Sequence, residues 1–143
     1  MEKKIKVRWG GKMSFIAIDD KKHSLLMDTA ERIGGDDAAF IPSDLLLVSL
    51  GGCNGVDVVG ILKKQKQDIR ELDIEVTGSQ VDTHPKYFTE IRVEYVIRGK
   101  GIKKEFVERA IELSHDKYCS VGQTIEPKVK IINTYRIEEV EDQ

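Results

Sequence analysis

Cysteine is scarce: the 143-residue chain has two, Cys53 and Cys119, so it is not a disulfide-stapled scaffold. None is required, because a chain of this length can hide roughly 68–70% of its unfolded surface in a core. Charge of one sign is lacking as well. Twenty-three Lys and Arg against 25 Asp and Glu leave a formal charge of −2, without the basic footprint of a nucleic-acid binder. The longest apolar stretches, residues 45–52 and 56–62, are interrupted by Asn54, Asp57 and glycines, so no 18-residue membrane span is expected. The opening Met1-Glu2-Lys3-Lys4 has no apolar core of a secretory signal. These absences predict one soluble domain over residues 1–143, a cytoplasmic location, and neither nucleic acid nor membrane as a partner.

Cofactor signals are missing too. There is no Cys-x-x-Cys, no His-Glu-x-x-His, no phosphate loop and no dinucleotide fingerprint, so no cofactor and no metal are predicted. His115 and Cys119, four apart on a predicted helix, are two ligands at most, and two do not make a site.

What the sequence does contain is strong period-two and helical patterning. Ile5, Val7 and Trp9 alternate with Lys4, Lys6 and Arg8, predicting a strand over residues 3–9. Residues 15–18 and 23–27 predict two more, and residues 31–40, around Gly34-Gly35-Asp36-Asp37, a loop. Pro42, Ser43 and Asp44 suit a helix start. The helix is expected to continue to about Lys66, its lysines near the negative end. Its four glycines, 51, 52, 55 and 60, each cost about 0.8–1.0 kcal/mol relative to Ala, which predicts close approach of another backbone, most simply a partner helix. Residues 72–81 and 88–98 read as a hairpin, residues 103–117 as a second helix, and residues 128–137 as a last strand. The order is βββαββαβ, an α+β fold. Residues 138–143 read as an acidic, solvated tail.

Read from the residues alone, the two cysteines, 66 positions apart, are either inert core thiols or a reactive pair brought together by the fold. Two motifs bear on that choice. Residues 42–53, Pro-Ser-Asp-Leu-Leu-Leu-Val-Ser-Leu-Gly-Gly-Cys, continue into Asp57-Val58-Val59 and Ile61-Leu62-Lys63-Lys64. Ala110-Ile111-Glu112-Leu113-Ser114 is followed by Lys117-Tyr118-Cys119-Ser120-Val121. Together they resemble the OsmC/Ohr family of osmotically inducible and organic-hydroperoxide-resistance proteins, in its OsmC-like subgroup, and the strand order agrees over nearly the whole chain.

The resemblance implies an OsmC-like fold, with antiparallel sheets wrapped around central helices in an intertwined homodimer. It implies thiol peroxidation at the subunit interface: Cys53 attacks an organic hydroperoxide or hydrogen peroxide, Cys119 resolves the sulfenic acid, and an external dithiol, lipoyl-type by analogy to relatives, reduces the disulfide. A non-catalytic redox-sensing or small-ligand-binding protein on the same fold is the alternative. Chemistry sets a demand on either. Lowering a thiol pKa raises its thiolate population but weakens the nucleophile, so most of the gain cancels. Rate must then come from orienting the peroxide and stabilising the departing oxygen. The family's usual glutamate and arginine are not plainly present; Asp44, Lys12 and Arg32 are the auxiliary candidates in their place. Asp44 lies nine residues before Cys53, half a rotation away on a straight helix, so it cannot serve its own Cys53; it is either a first-turn acid of the helix or, as the resemblance to interfacial family sites implies, a partner of the other subunit's cysteine.

Overall fold

The computed structural model describes residues 1–141, and the chain falls into two compact units, Met1–Leu46 and Leu47–Gln143. The N-terminal unit holds β1 (Lys6–Trp9), β2 (Phe15–Ile18) and β3 (Ser24–Met27) in an antiparallel meander. The sheet has almost no covered face. Val7, Trp9, Phe15, Ile16, Leu25 and Leu26 are all exposed, and Met27 is its one buried apolar side chain.

Polar bonds order the segment that follows. Asp28 is buried and accepts N–H groups from Thr29, Asp36 and Ala38, which hold its carboxyl below the usual carboxylate range. Gly35 passes so close to this cluster that a Cβ there would meet the Thr29 carbonyl at 2.2 Å. A single 3-10 turn, Glu31–Ile33, interrupts the predicted loop, and Phe40 bridges to Met27.

α1 (Asp44–Lys64) begins in the N-terminal unit and runs on into the C-terminal one. It is long and apolar enough to cross a membrane, with a mean hydropathy of 1.9. This corrects the expectation that no span-length segment exists: an average over leucines and valines outweighs Asn54 and Asp57. Leu50, Val58 and Leu62 are nonetheless fully buried within the chain. Two of the four glycines meet a strand of this chain. A Cβ on Gly51 would meet Val76 at 3.0 Å and one on Gly55 would meet Ile74 at 3.0 Å, so these two admit strand side chains. Gly52 and Gly60 face open space.

β4 (Asp68–Gln80) and β5 (Phe88–Lys100) form the predicted hairpin, longer than the alternation alone suggested. β5 is the core strand: Ile91, Val93, Tyr95, Val96 and Ile97 are all buried. β6 (Lys130–Glu139) pairs with β5 in parallel, Tyr95 opposite Tyr135, so the antiparallel arrangement holds for every strand pair but this one. Parallel strands need a long crossover. Here it is α2 (Lys104–Leu113), a π-helical turn (Ser114–Tyr118) and the short α3 (Ser120–Ile125). The predicted second helix over residues 103–117 is therefore α2 followed by the π turn, and α3 is an element the sequence reading did not foresee. The acidic tail also shortens: Glu138 and Glu139 belong to β6, and Glu138 is bonded to Arg98 at 2.7 Å and to Arg136 at 3.2 Å. Asp142 and Gln143 lie outside the described residues.

Candidate active site

Helical geometry places Cys53 in the middle of α1, half-buried. Cys119 arrives from the crossover. α2 does not continue to it as a regular helix; the Cys119 N–H reaches back five residues to the Ser114 carbonyl at 2.8 Å, the bond of a π turn, a widened geometry common at functional sites. Cys119 then caps α3, its sulfur accepting the Gly122 N–H at 3.2 Å. It is 1% exposed.

Cys53, 66 residues away in sequence, lies near enough to act on the ionisation of Cys119. Cys119 ionisation is pushed up to about 11, chiefly by burial, then by the neighbouring Cys53, with the charge of Asp57 adding and the Gly122 N–H opposing. Cys119 therefore keeps its proton at neutral pH. Tyr95, on β5, is buried near enough to feel the charges of the pair. Burial, followed by the charges of Cys119, Asp57 and Cys53, raises its phenol well above the ordinary range, so it too stays protonated.

Three further side chains complete the site, and the sequence reading assigned a role to none of them. Asp57 is one helical turn beyond Cys53, on the same side of α1. Ser114, with no solvent exposure, lies 2.8 Å from Asp57 Oδ2 and 3.1 Å from Asn54 Oδ1. The signal was available: Asn54 and Asp57 are polar residues within an apolar helix, and Ser114 lies within the second motif. Beside Asp57 opens a cleft of about 450 Å³, walled by Val56, Ile61 and Leu113, with Lys64 and Tyr118 at its edge.

Of the other candidates, Lys12, Arg32 and Asp44 belong to the N-terminal unit. Lys12 is bonded to Asp36 at 2.7 Å, which raises its pKa, and its carbonyl accepts the Trp9 indole N–H. Arg32 is on the exposed 3-10 turn, and Asp44 opens α1 as a first-turn acid. The groups that act on Cys119 come instead from the C-terminal unit, and those that carry charge are negative. His115 does not pair with Cys119. Its Nδ1 accepts from the Asn133 amide at 3.2 Å, which leaves Nε2 to donate to Glu126 at 2.8 Å.

The family model described as OsmC-like protein matches residues 34–133. Protein YhfA of Escherichia coli K12 is 33% identical over 132 residues, 92% of this chain and 96% of YhfA. A crystal structure of a hypothetical protein from Aquifex aeolicus VF5 superposes with a TM-score of 0.85 at 28% identity, covering 99% of each chain. An organic hydroperoxide resistance protein from Elizabethkingia anophelis superposes with a TM-score of 0.69 at 15% identity, covering 96% of this chain and 97% of its own; that likeness is one of fold.

Proposed function

The chain belongs to the OsmC-like family, and from that premise we propose that it is a thiol peroxidase reducing organic hydroperoxides or hydrogen peroxide. One observation carries the reading: a half-buried thiol, Cys53, near a buried one, Cys119, whose ionisation it opposes. Such a pair has a natural order. The Cys53 thiolate attacks the peroxide, the O–O bond breaks, and the departing oxygen takes a proton to leave as an alcohol or water. Cys53 becomes a sulfenic acid. The Cys119 sulfur then displaces its hydroxyl, the Cys119 proton leaves with it as water, and a disulfide remains. An external dithiol supplies the two electrons that restore both thiols. Tyr95, a buried phenol that keeps its proton and feels the charges of both cysteines, would donate a hydrogen bond to oxygen developing charge there.

The proposed protein is a cytoplasmic homodimer. What supports the dimer is unsatisfied apolar surface: Val48 and Val56 on α1 are 47% and 76% exposed, beside open Gly52 and Gly60, and the N-terminal sheet is uncovered. A second copy would also bring Asp44, Lys12 or Arg32 to the thiols as the missing charged group.

A specific observation favours the rival reading, redox sensing without turnover. The charges that act on Cys119, those of Cys53 and Asp57, oppose a second thiolate. The two readings separate in one assay. With cumene hydroperoxide and a dithiol reductant, wild type consumes peroxide continuously and Cys53→Ser loses at least about 10³-fold of that rate, the scale of removing a nucleophile. Equal consumption by the two proteins rejects the peroxidase; a single equivalent consumed and no more selects the sensor.

A further inference from the structure

The π turn that delivers Cys119 is fastened at its first residue. The Ser114 carbonyl holds the Cys119 N–H at 2.8 Å, while the Ser114 side chain reaches across to α1, to Asp57 and Asn54. A serine hydroxyl has one proton, and the shorter, charge-assisted contact to the Asp57 carboxylate takes it. The oxygen and nitrogen of an asparagine amide are interchangeable in such an assignment. With Nδ2 turned toward Ser114 Oγ, Asn54 donates to Ser114 and Ser114 donates to Asp57, so each contact has one donor and one acceptor.

Buried polar groups need such satisfaction to be tolerated, and once satisfied they fix a geometry more sharply than apolar packing does. Here Ser114 and Asn54 are 0% and 4% exposed. What they fix is specific. One residue is bonded through its backbone to Cys119, and through its side chain to the residue after Cys53 and to the one a turn beyond.

We propose that Asn54, Asp57 and Ser114 form a brace that sets the spacing of the two thiols. They are positioning residues: they hold the Cys119 backbone against α1, so that closing the disulfide is an intramolecular step of high effective concentration. The brace rests on the reading that Cys53 and Cys119 form a redox pair. In the closing step the S–O bond of the Cys53 sulfenic acid breaks, the S–S bond forms, and water carries away the Cys119 proton; an external dithiol later returns two electrons.

The test needs no peroxide. The full-length protein is equilibrated with defined ratios of reduced and oxidised glutathione, quenched with acid, alkylated, and its Cys53–Cys119 disulfide quantified by mass spectrometry. Ser114→Ala and Asp57→Ala each lower the effective concentration by at least about tenfold, equivalent to about 30 mV for a two-electron couple. Asp57→Asn, which keeps an acceptor oxygen for the serine proton, stays within about threefold of wild type. A merely structural role destabilises oxidised and reduced protein alike and leaves this ratio unmoved. Values for both alanine variants equal to wild type overturn the brace and leave the redox pair standing. No Cys53–Cys119 disulfide in wild type overturns the pair, and the brace with it. Should Ser114→Ala fail to fold, Asp57→Ala, at a half-buried position on the helix, decides by the same criterion.

Discussion

The two units solve the same problem by opposite means. In the C-terminal unit a three-stranded sheet buries its apolar side chains: β5 contributes six core residues, and Leu50, Val58, Leu62, Val107 and Ala110 join them from the helices. In the N-terminal unit a three-stranded sheet buries only Met27, and its order comes from backbone N–H groups gathered on one carboxylate, Asp28. The contrast shows that a sheet with good strand periodicity does not thereby have a core. Three strands need a covered apolar face to be independently stable, and only one of these sheets has it within the chain. The thiols are found where the packing is, as a site of fixed geometry requires.

The largest expected effect sharpens this contrast directly. Leu62→Ala, at a fully buried position, costs about 2–5 kcal/mol in chemical denaturation, the range of cavity-forming substitutions in a packed core. Ile16→Ala, at a position 36% exposed in the N-terminal sheet, costs under about 1 kcal/mol. Equal losses would mean that the two sheets do not differ in the way described.

A smaller effect follows at the exposed face of α1. Val56→Lys places a charge on the proposed dimer surface and converts the dimer to monomer by light scattering, costing about 2 kcal/mol or more of association, the scale of an interface hot spot. In that monomer the amides of β1–β3 exchange with solvent quickly, while those of β5 stay protected. A Val56→Lys protein that remains dimeric takes α1 out of the interface.

The smallest effects lie at the two ends of the pH scale, one for each unit. Asp28 has a lowered pKa because three N–H groups bind its charged form. Its contribution is present above the ordinary carboxylate range, near about 4, and is lost as pH falls below it. Cys119 has a raised pKa, so its contribution is complete below its usual value of 9.0 and is lost as pH rises toward about 11. Thermal melts should therefore show Asp28→Asn flattening the acid limb and Cys119→Ser flattening the alkaline one. A flattened limb at the wrong end would contradict the assigned causes.

Much of this architecture was legible in the residues. Alternation of Ile91, Val93, Tyr95 and Ile97 marks β5, and Pro42 with Asp44 marks the start of α1, because both signals are local. The association of Cys53 with Cys119 was legible only as a resemblance, since no local rule links positions 66 apart. What stayed hidden is non-local or sub-periodic. A π turn adds one residue to a helical turn and leaves the apolar pattern of residues 104–118 intact. The parallel pairing of β6 with β5 depends on the crossover and not on the strand's own composition. Asp57 was read only as an interruption of an apolar run, because its partner, Ser114, is 57 residues away. Tyr95 read as one more inward strand residue, and nothing in an alternating pattern distinguishes a core tyrosine from one that feels the charges of the cysteines.

The parallel strand has a consequence for motion. Because β5 ends at Lys100 and β6 begins at Lys130 on the same sheet, the segment bearing Cys119 is a handle bolted down at both ends. It cannot swing away as a free arm would. Whatever travel its sulfur needs in the proposed disulfide step must be absorbed inside the handle, and the five residues just before that sulfur are a loosely wound stretch within it.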